Sequence, residues 1–268
     1  MSRQHVTFTC ENSELVGTLD DASGSTGLLI VSGGREIRSG AFSGQAQLAA
    51  RIAAAGYPVF RFDRRGVGDS SGADNGFRSS AADVQAALAA FHAQRPKLRR
   101  IVAFGNCDAA SALALQSGAG CDTLILSNPW LREDDSGTLP PAAIRSRYAQ
   151  RLASAREWLR LLSGGVSLRK LASGLKASLR PSPSGQETPL MQEMQAGLAQ
   201  FAGSVHWLTG GNDRTGQTFM AEWQGDLSML ATCNGADHAF SGTTAQEWLA
   251  SQILGILAQE EAGELDMG

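Results

Sequence analysis

Residues 99–116 read Arg-Arg-Ile-Val-Ala-Phe-Gly-Asn-Cys-Asp-Ala-Ala-Ser-Ala-Leu-Ala-Leu-Gln. A short apolar run, a tight bend and an alanine-rich run follow one another, which predicts a strand, a sharp turn with Cys107 at its apex, and a helix. That is the layout of a nucleophile elbow. The backbone folds onto itself at such a turn, so small residues are needed on both sides, and Gly105 and Ala109 fill those places. The elbow lifts the apex side chain above the carboxyl edge of a parallel sheet and sets it at a helix N-terminus. The free N–H groups there and the positive dipole end favour an anion, which for a cysteine is the thiolate. The stretch Gly105-Asn106-Cys107-Asp108-Ala109 departs from the usual G-x-S-x-G at the nucleophile and at the last position. A cysteine in alanine-rich sequence also reads as a small buried hydrophobe. The weight therefore falls on the rest of the chain.

Upstream, residues 5–19 alternate polar and apolar around Glu11-Asn12-Ser13, as two paired antiparallel strands do. Gly27–Val31 is a continuous apolar run, expected of a strand buried on both faces, and it empties into Ser32-Gly33-Gly34-Arg35-Glu36. Two glycines there allow backbone N–H groups to approach a ligand. The loop reads equally as an ordinary strand-to-helix turn. Residues 43–55 form an alanine-rich helix ended by Gly56, and Pro58–Phe62 is the next strand. The glycine-rich loop 63–72 lacks the G-x-G-x-x-G spacing, a following Lys-Ser/Thr and an immediate helix, so it is not a nucleotide site. A helix over 80–94 leads back to the elbow.

Downstream, Asp122–Asn128 is another buried strand, and strands alternating with helices to this point predict a doubly wound parallel sheet. The rhythm then breaks. Residues 142–162 fit a helix with Ile144, Tyr148, Leu152, Ala155, Leu159 and Leu162 on one stripe, flanked by Arg145, Arg147, Arg151 and Arg156. A loop over 180–189 and a helix near 189–201 close the excursion. The expected organisation is a core of residues 1–130 and 203–268 with a helical cap, 131–202, over the carboxyl edge of the sheet. The core resumes with a strand at 204–209 that ends in Gly210-Gly211-Asn212-Asp213-Arg214. A last strand at 227–233 precedes Asn234-Gly-Ala-Asp-His238, and a helix over 242–258 closes the fold. The acidic tail from Glu260 is expected to fray.

With 268 residues, 43% of them hydrophobic, the chain can bury one sizeable α/β core. No run is long enough to span a bilayer and the first residues lack a signal-peptide core, so a cytoplasmic protein is expected. The cysteines Cys10, Cys107, Cys121 and Cys233 are widely spaced, which indicates neither a disulfide framework nor a zinc site. The net charge of −3 hides an asymmetry, because residues 140–180 carry nine basic side chains against the single acid Glu157. Such separation points to an anionic substrate or partner, not to nucleic acid.

Three loops after three strands thus carry Cys107, Asp213 and His238. In a doubly wound sheet they open at the same edge and can meet in one pocket. Cys107 would attack an acyl carbon, His238 would hold the thiol proton and pass it to the leaving group, and Asp213 would orient the imidazole. Asp226 and Asp237 are rival partners for His238. Asp226 opens a strand at the wrong end, and Asp237, a sequence neighbour of His238, tends to point away from it. His5, His92 and His206 have no carboxylate placed by the topology to orient them. The N–H of Asp108 would form one half of an oxyanion hole and that of Gly34 or Arg35 the other. Arg38, Asn106, Arg147 and Arg151 are the candidate substrate-binding residues. No metal or other cofactor is called for.

The order nucleophile, acid, histidine, together with Ile30–Gly34, Phe60-Arg-Phe-Asp-Arg-Arg-Gly-Val-Gly-Asp-Ser-Ser-Gly72 and Gly105-Asn-Cys-Asp-Ala-Ala-Ser-Ala112, resembles the α/β-hydrolase superfamily over nearly the whole chain. Within it the chain looks like the exosortase A system-associated hydrolase 1 group, whose elbow reads G-x-C-D-A-A-S-A. The resemblance implies an α/β-hydrolase fold with a mostly parallel eight-stranded sheet and a small helical cap. It also implies a cysteine nucleophile, no cofactor and a bacterial setting beside exopolysaccharide and protein-sorting machinery. A thioester intermediate can be intercepted by amines, alcohols and thiols as well as by water, so hydrolysis of an ester or thioester competes with acyl transfer. A small-molecule or carrier-bound acyl substrate fits either. A third reading is a non-catalytic scaffold whose arginine-flanked helix docks on acidic lipid or a partner, which would bring peripheral membrane contact. The same stripe fits a helix packed on its own sheet with solvated arginines.

Overall fold

A computed structural model describes residues 2–132 and 187–265. Eight strands form one sheet in the order β1-β2-β4-β3-β5-β6-β7-β8. The opening hairpin, β1 (Ser2–Cys10) and β2 (Ser13–Asp21), is antiparallel, and β2 also runs antiparallel to β4 (Val59–Phe62). From β4 onward every pairing is parallel, through β3 (Thr26–Val31), β5 (Arg100–Asn106), β6 (Thr123–Ser127), β7 (Ser204–Gly210) and β8 (Leu230–Cys233).

The central strands are apolar throughout because both faces are covered. In β3, Leu28 and Ile30 join one core layer while Leu29 and Val31 join the other, as a side-chain period of two requires. The layer containing Leu28 and Ile30 packs against α1 (Gly44–Ala54) and α6 (Thr243–Leu265). The opposite layer packs against α2 (Ala81–Gln94), α3 (Asp108–Leu115), α4 (Pro189–Ala199) and α5 (Arg214–Glu222). Phe60 stacks on Phe91 at 5.5 Å between ring centroids, and Trp207 sits 4.8 Å from Phe219, so the large aromatics tie helix to sheet on this side.

One segment differs from the sequence reading. The last helix continues through the acidic tail to Leu265. Glu260 accepts from Thr123 at 2.7 Å and pairs with Arg100 at 3.2 Å, and Glu261 accepts from the Tyr57 hydroxyl at 3.1 Å. The acids that make the tail look soluble are what dock it. Helix α4, placed by the sequence at the end of the cap, lies against α3: a Cβ at Gly197 would come within 2.2 Å of the Ala114 carbonyl oxygen, and Ser117 donates to the Gly197 carbonyl at 2.9 Å. The helix expected over 142–162, the charged surface around it and the rest of the cap fall among residues 133–186, outside the described residues. Among the described residues no helix is long and apolar enough to cross a membrane.

Candidate functional site

β5 ends at Asn106, α3 begins at Asp108, and Cys107 makes the turn alone, at φ 62° and ψ −128°. Such a backbone is costly for a residue with a side chain and persists only where its surroundings enforce it. They do so here by close approach, since a Cβ at Gly105 would stand 2.8 Å from the Ala109 carbonyl carbon. The turn is also stapled to its neighbour: Cys107 N–H donates to the Ser127 carbonyl at 3.0 Å, and the Ser111 hydroxyl donates to the Trp130 carbonyl at 2.7 Å. Cys107 is partly exposed, whereas Cys10, Cys121 and Cys233 are buried. Burial pushes the Cys121 thiol up to about 12, and burial with a hydrogen bond to Asp83 pushes Cys10 up to about 11. Those thiols stay protonated and unreactive.

Asp213 caps α5 and faces the loop after β8. One carboxylate oxygen accepts from Gly216 N–H at 2.7 Å, and the other lies 3.0 Å from Nδ1 of His238. The aspartate is buried while the histidine is half exposed. The imidazole is also hydrogen-bonded to the Cys107 side chain, and its pKa is raised to about 10, first by the Asp213 hydrogen bond and then by Cys107. The structure thus brings Cys107, His238 and Asp213 into one hydrogen-bonded chain. Neither rival carboxylate takes part: Asp237 accepts from Ser241, which holds its carboxyl below the usual range, and Asp226 accepts from Ser228.

The histidine loop is clamped by residues the sequence reading used otherwise or passed over. Asn106, expected to bind substrate, donates its amide to the His238 carbonyl at 3.1 Å. Its amide oxygen accepts from Asn128 at 3.1 Å, and Asn128 in turn accepts from Gly210 N–H at 2.8 Å. Asn106 thus holds the loops of β5, β6 and β8 together, and it also lines the cleft beside Cys107. Asn128 is fully buried at the carboxyl end of β6. Its signal in sequence was a polar residue closing an apolar run at the edge where the other loops open.

On the opposite side of Cys107 lies the Gly33-Gly34 loop. Gly34 N–H donates to the Asp108 carboxylate at 2.6 Å, and a Cβ at Gly33 would stand 2.5 Å from the same oxygen. Of the three N–H groups the sequence reading considered, that of Gly34 is thus already taken. Among the described residues the N–H groups of Asp108 and Arg35 have no acceptor. Arg64, buried after β4, donates to the Gly34 carbonyl and fixes the loop from behind. The glycine-rich loop 63–72 thus has a structural use: Asp63 accepts from Arg38 N–H at 2.6 Å and from Asp69 N–H at 3.0 Å. Arg38, expected to bind substrate, is not among the residues that line the cleft. Its guanidinium is held by Asp63, by Asp69 at 2.8 Å and by Thr18 at 3.1 Å. Arg35 pairs outward with Asp74 at 3.2 Å. Arg147 and Arg151 lie outside the described residues.

Cys107 and His238 open onto a cleft of about 340 Å³ bounded by the Gly33–Glu36 loop, α1, Phe104, Phe240 and α6. A half-exposed thiol, an imidazole oriented by a buried carboxylate and two unengaged N–H groups beside a helix start can support nucleophilic attack on a carbonyl. Residues 28–252 match the alpha/beta hydrolase family. The chain belongs to that family. No curated protein matches it. Among solved structures this hydrolase-family chain is similar to an esterase of Pyrococcus furiosus, at 18% identity and a TM-score of 0.63, over 96% of this chain and 92% of that one. An alpha/beta hydrolase of Penicillium is 16% identical with a TM-score of 0.62, covering 98% of this chain and 100% of that one. A proline iminopeptidase of Mycobacterium smegmatis is 15% identical with a TM-score of 0.58, covering 97% of this chain and 100% of that one. At such identities the likeness speaks for the fold alone.

Proposed function

We propose that this alpha/beta hydrolase cleaves a carboxylic ester or thioester with Cys107 as nucleophile, His238 as base and acid, and Asp213 as the residue that orients His238. The observation that carries the reading is the hydrogen-bonded chain from the Asp213 carboxylate through His238 to the Cys107 side chain. His238 takes up the thiol proton of Cys107, in keeping with its raised pKa. Sγ attacks the acyl carbon, and the carbonyl oxygen takes up charge toward the N–H groups of Asp108 and Arg35. His238 then gives its proton to the departing alcohol or thiol, leaving a thioester on Cys107. Water, deprotonated by His238, cleaves that thioester to the free acid and the starting thiol. Asp108 serves as a positioning residue, since its carboxylate ties the Gly33–Glu36 loop to the elbow. The elbow residues 105–112 and the Phe60–Gly72 motif support a place in the exosortase-associated group, hence in the cytoplasm of an exopolysaccharide-producing bacterium.

The purified protein should release p-nitrophenol from p-nitrophenyl butyrate, and Cys107→Ala should lower kcat/KM by about a thousandfold or more. Activity surviving that change refutes the reading. An added amine acceptor separates the two fates of the thioester, since hydrolysis yields the free acid and acyl transfer yields an amide.

A further inference from the structure

The cleft extends beyond Cys107 along α1, and its wall carries a cation. Leu48, Phe104, Phe240 and Leu249 are buried residues that line it with apolar surface. At the elbow end the polar side chains are engaged within the protein. Glu36 accepts from Ala41 N–H and from the Gln45 amide, and the Gln45 amide oxygen accepts from Ser32 at 2.9 Å. Arg51 differs. It lines the cleft from the last turn of α1, it is exposed, and among the described residues it has no ion-pair partner.

The spacing along the helix sets a length. Gln45 stands beside the loop that meets the elbow, and six residues of helix at 1.5 Å each put Arg51 about 9 Å further on. Its side chain leans back toward the helix start, as side chains on a helix do. That separation of about 9 Å along the cleft wall is the length of an extended acyl chain of about six to eight carbons. A carboxylate at the far end of such a chain would meet Arg51 in a charge-assisted hydrogen bond. A shorter diacid would strand its charge against Leu48 and Phe104, where nothing compensates its desolvation.

We infer that the acyl group accepted at this site is a medium-length aliphatic chain ending in a carboxylate, so that the substrates are half-esters or half-thioesters of dicarboxylic acids, with Arg51 as the specificity-determining residue. Turnover of such compounds rests on the Cys107 reading, whereas their binding rests on the cleft alone.

Calorimetric titration of Cys107→Ala tests the binding with monomethyl suberate, monomethyl succinate and methyl octanoate. The suberate ester is expected to bind most tightly, and adding Arg51→Gln should weaken it by about ten- to a hundredfold, with Arg51→Lys recovering part of the loss. In the intact enzyme, Arg51→Gln should lower the ratio of kcat/KM for the p-nitrophenyl half-ester of suberic acid to that for p-nitrophenyl octanoate by a similar factor. Octanoate binding as tightly as suberate, or Arg51→Gln changing both equally, overturns the inference. Suberate binding that depends on Arg51 without turnover of any ester upholds the subsite and removes the Cys107 reading. Turnover with no dependence on Arg51 does the reverse.

Discussion

Replacing Asp213 by asparagine separates two tasks that one carboxylate performs. Each oxygen accepts from a different N–H group, Gly216 at 2.7 Å and His238 Nδ1 at 3.0 Å, in a residue that is 5% exposed. An amide has the same shape but a single acceptor oxygen, so one of the two donors must face an NH₂ group. Gly216 N–H is fixed at the start of α5, whereas the imidazole can change tautomer, and asparagine caps helices about as well as aspartate. The amide oxygen therefore goes to Gly216, and the NH₂ group turns His238 so that its hydrogen sits on the nitrogen facing Cys107. Loss of a charge-assisted hydrogen bond of about 1.5–3 kcal/mol accounts for a ten- to hundredfold fall in kcat/KM. The inverted tautomer deepens the fall toward about 10⁴, the scale seen for the same exchange in serine proteases. Hydrolysis of p-nitrophenyl butyrate measures the effect, with circular dichroism at the assay temperature as the control that the fold is intact, which the surviving cap favours. Activity within about twofold of the unaltered protein, with the fold intact, refutes the reasoning.

The other predictions concern the turn, the loop behind it and the charge on the imidazole. Gly105→Val places its Cβ 2.8 Å from the Ala109 carbonyl carbon, and a loss of about 3 kcal/mol or more should lower Tm by about 6–12 °C; a change below about 2 °C would show that the elbow is not tightly closed. Arg64→Gln frees the Gly34 carbonyl and should lower kcat/KM by about tenfold, because it loosens the Gly33–Glu36 loop beside Cys107; a change below about twofold contradicts that reasoning. His238 titrates at about 10 in the folded protein and at about 6.5 when unfolded. The folded state therefore holds the proton more tightly, and the stability this provides is full below about pH 6.5 and lost as pH rises through about 10. Urea unfolding should show that decline, and Asp213→Asn should flatten it; equal slopes in the two proteins would rule out the pair as its source.

Much of this was legible in the sequence because apolar runs and their turn signals are local. Strands β3 to β7 fall within a residue or two of the runs that predict them, and the three residues of the hydrogen-bonded chain follow from loops opening at one sheet edge. What was not legible depended on partners distant in the chain. The tail from Glu260 reads as frayed until Arg100 and Thr123 are brought to it. Arg38 has the chemistry to bind a substrate, yet Asp63 and Asp69 hold its guanidinium away from the cleft. Sequence alone also left open which N–H group, that of Gly34 or that of Arg35, is free to meet a ligand. The bond from Gly34 N–H to Asp108 favours Arg35, and it depends on one rotamer that no pattern encodes.

The most direct measurement is intact and peptide mass spectrometry of the protein quenched within its first turnovers of p-nitrophenyl butyrate. A single butyryl group on the peptide containing Cys107, absent in Cys107→Ala and persisting longer in Asp213→Asn, is the expected result. Full hydrolysis with no acyl group on that peptide, or with the group on another residue, contradicts the account.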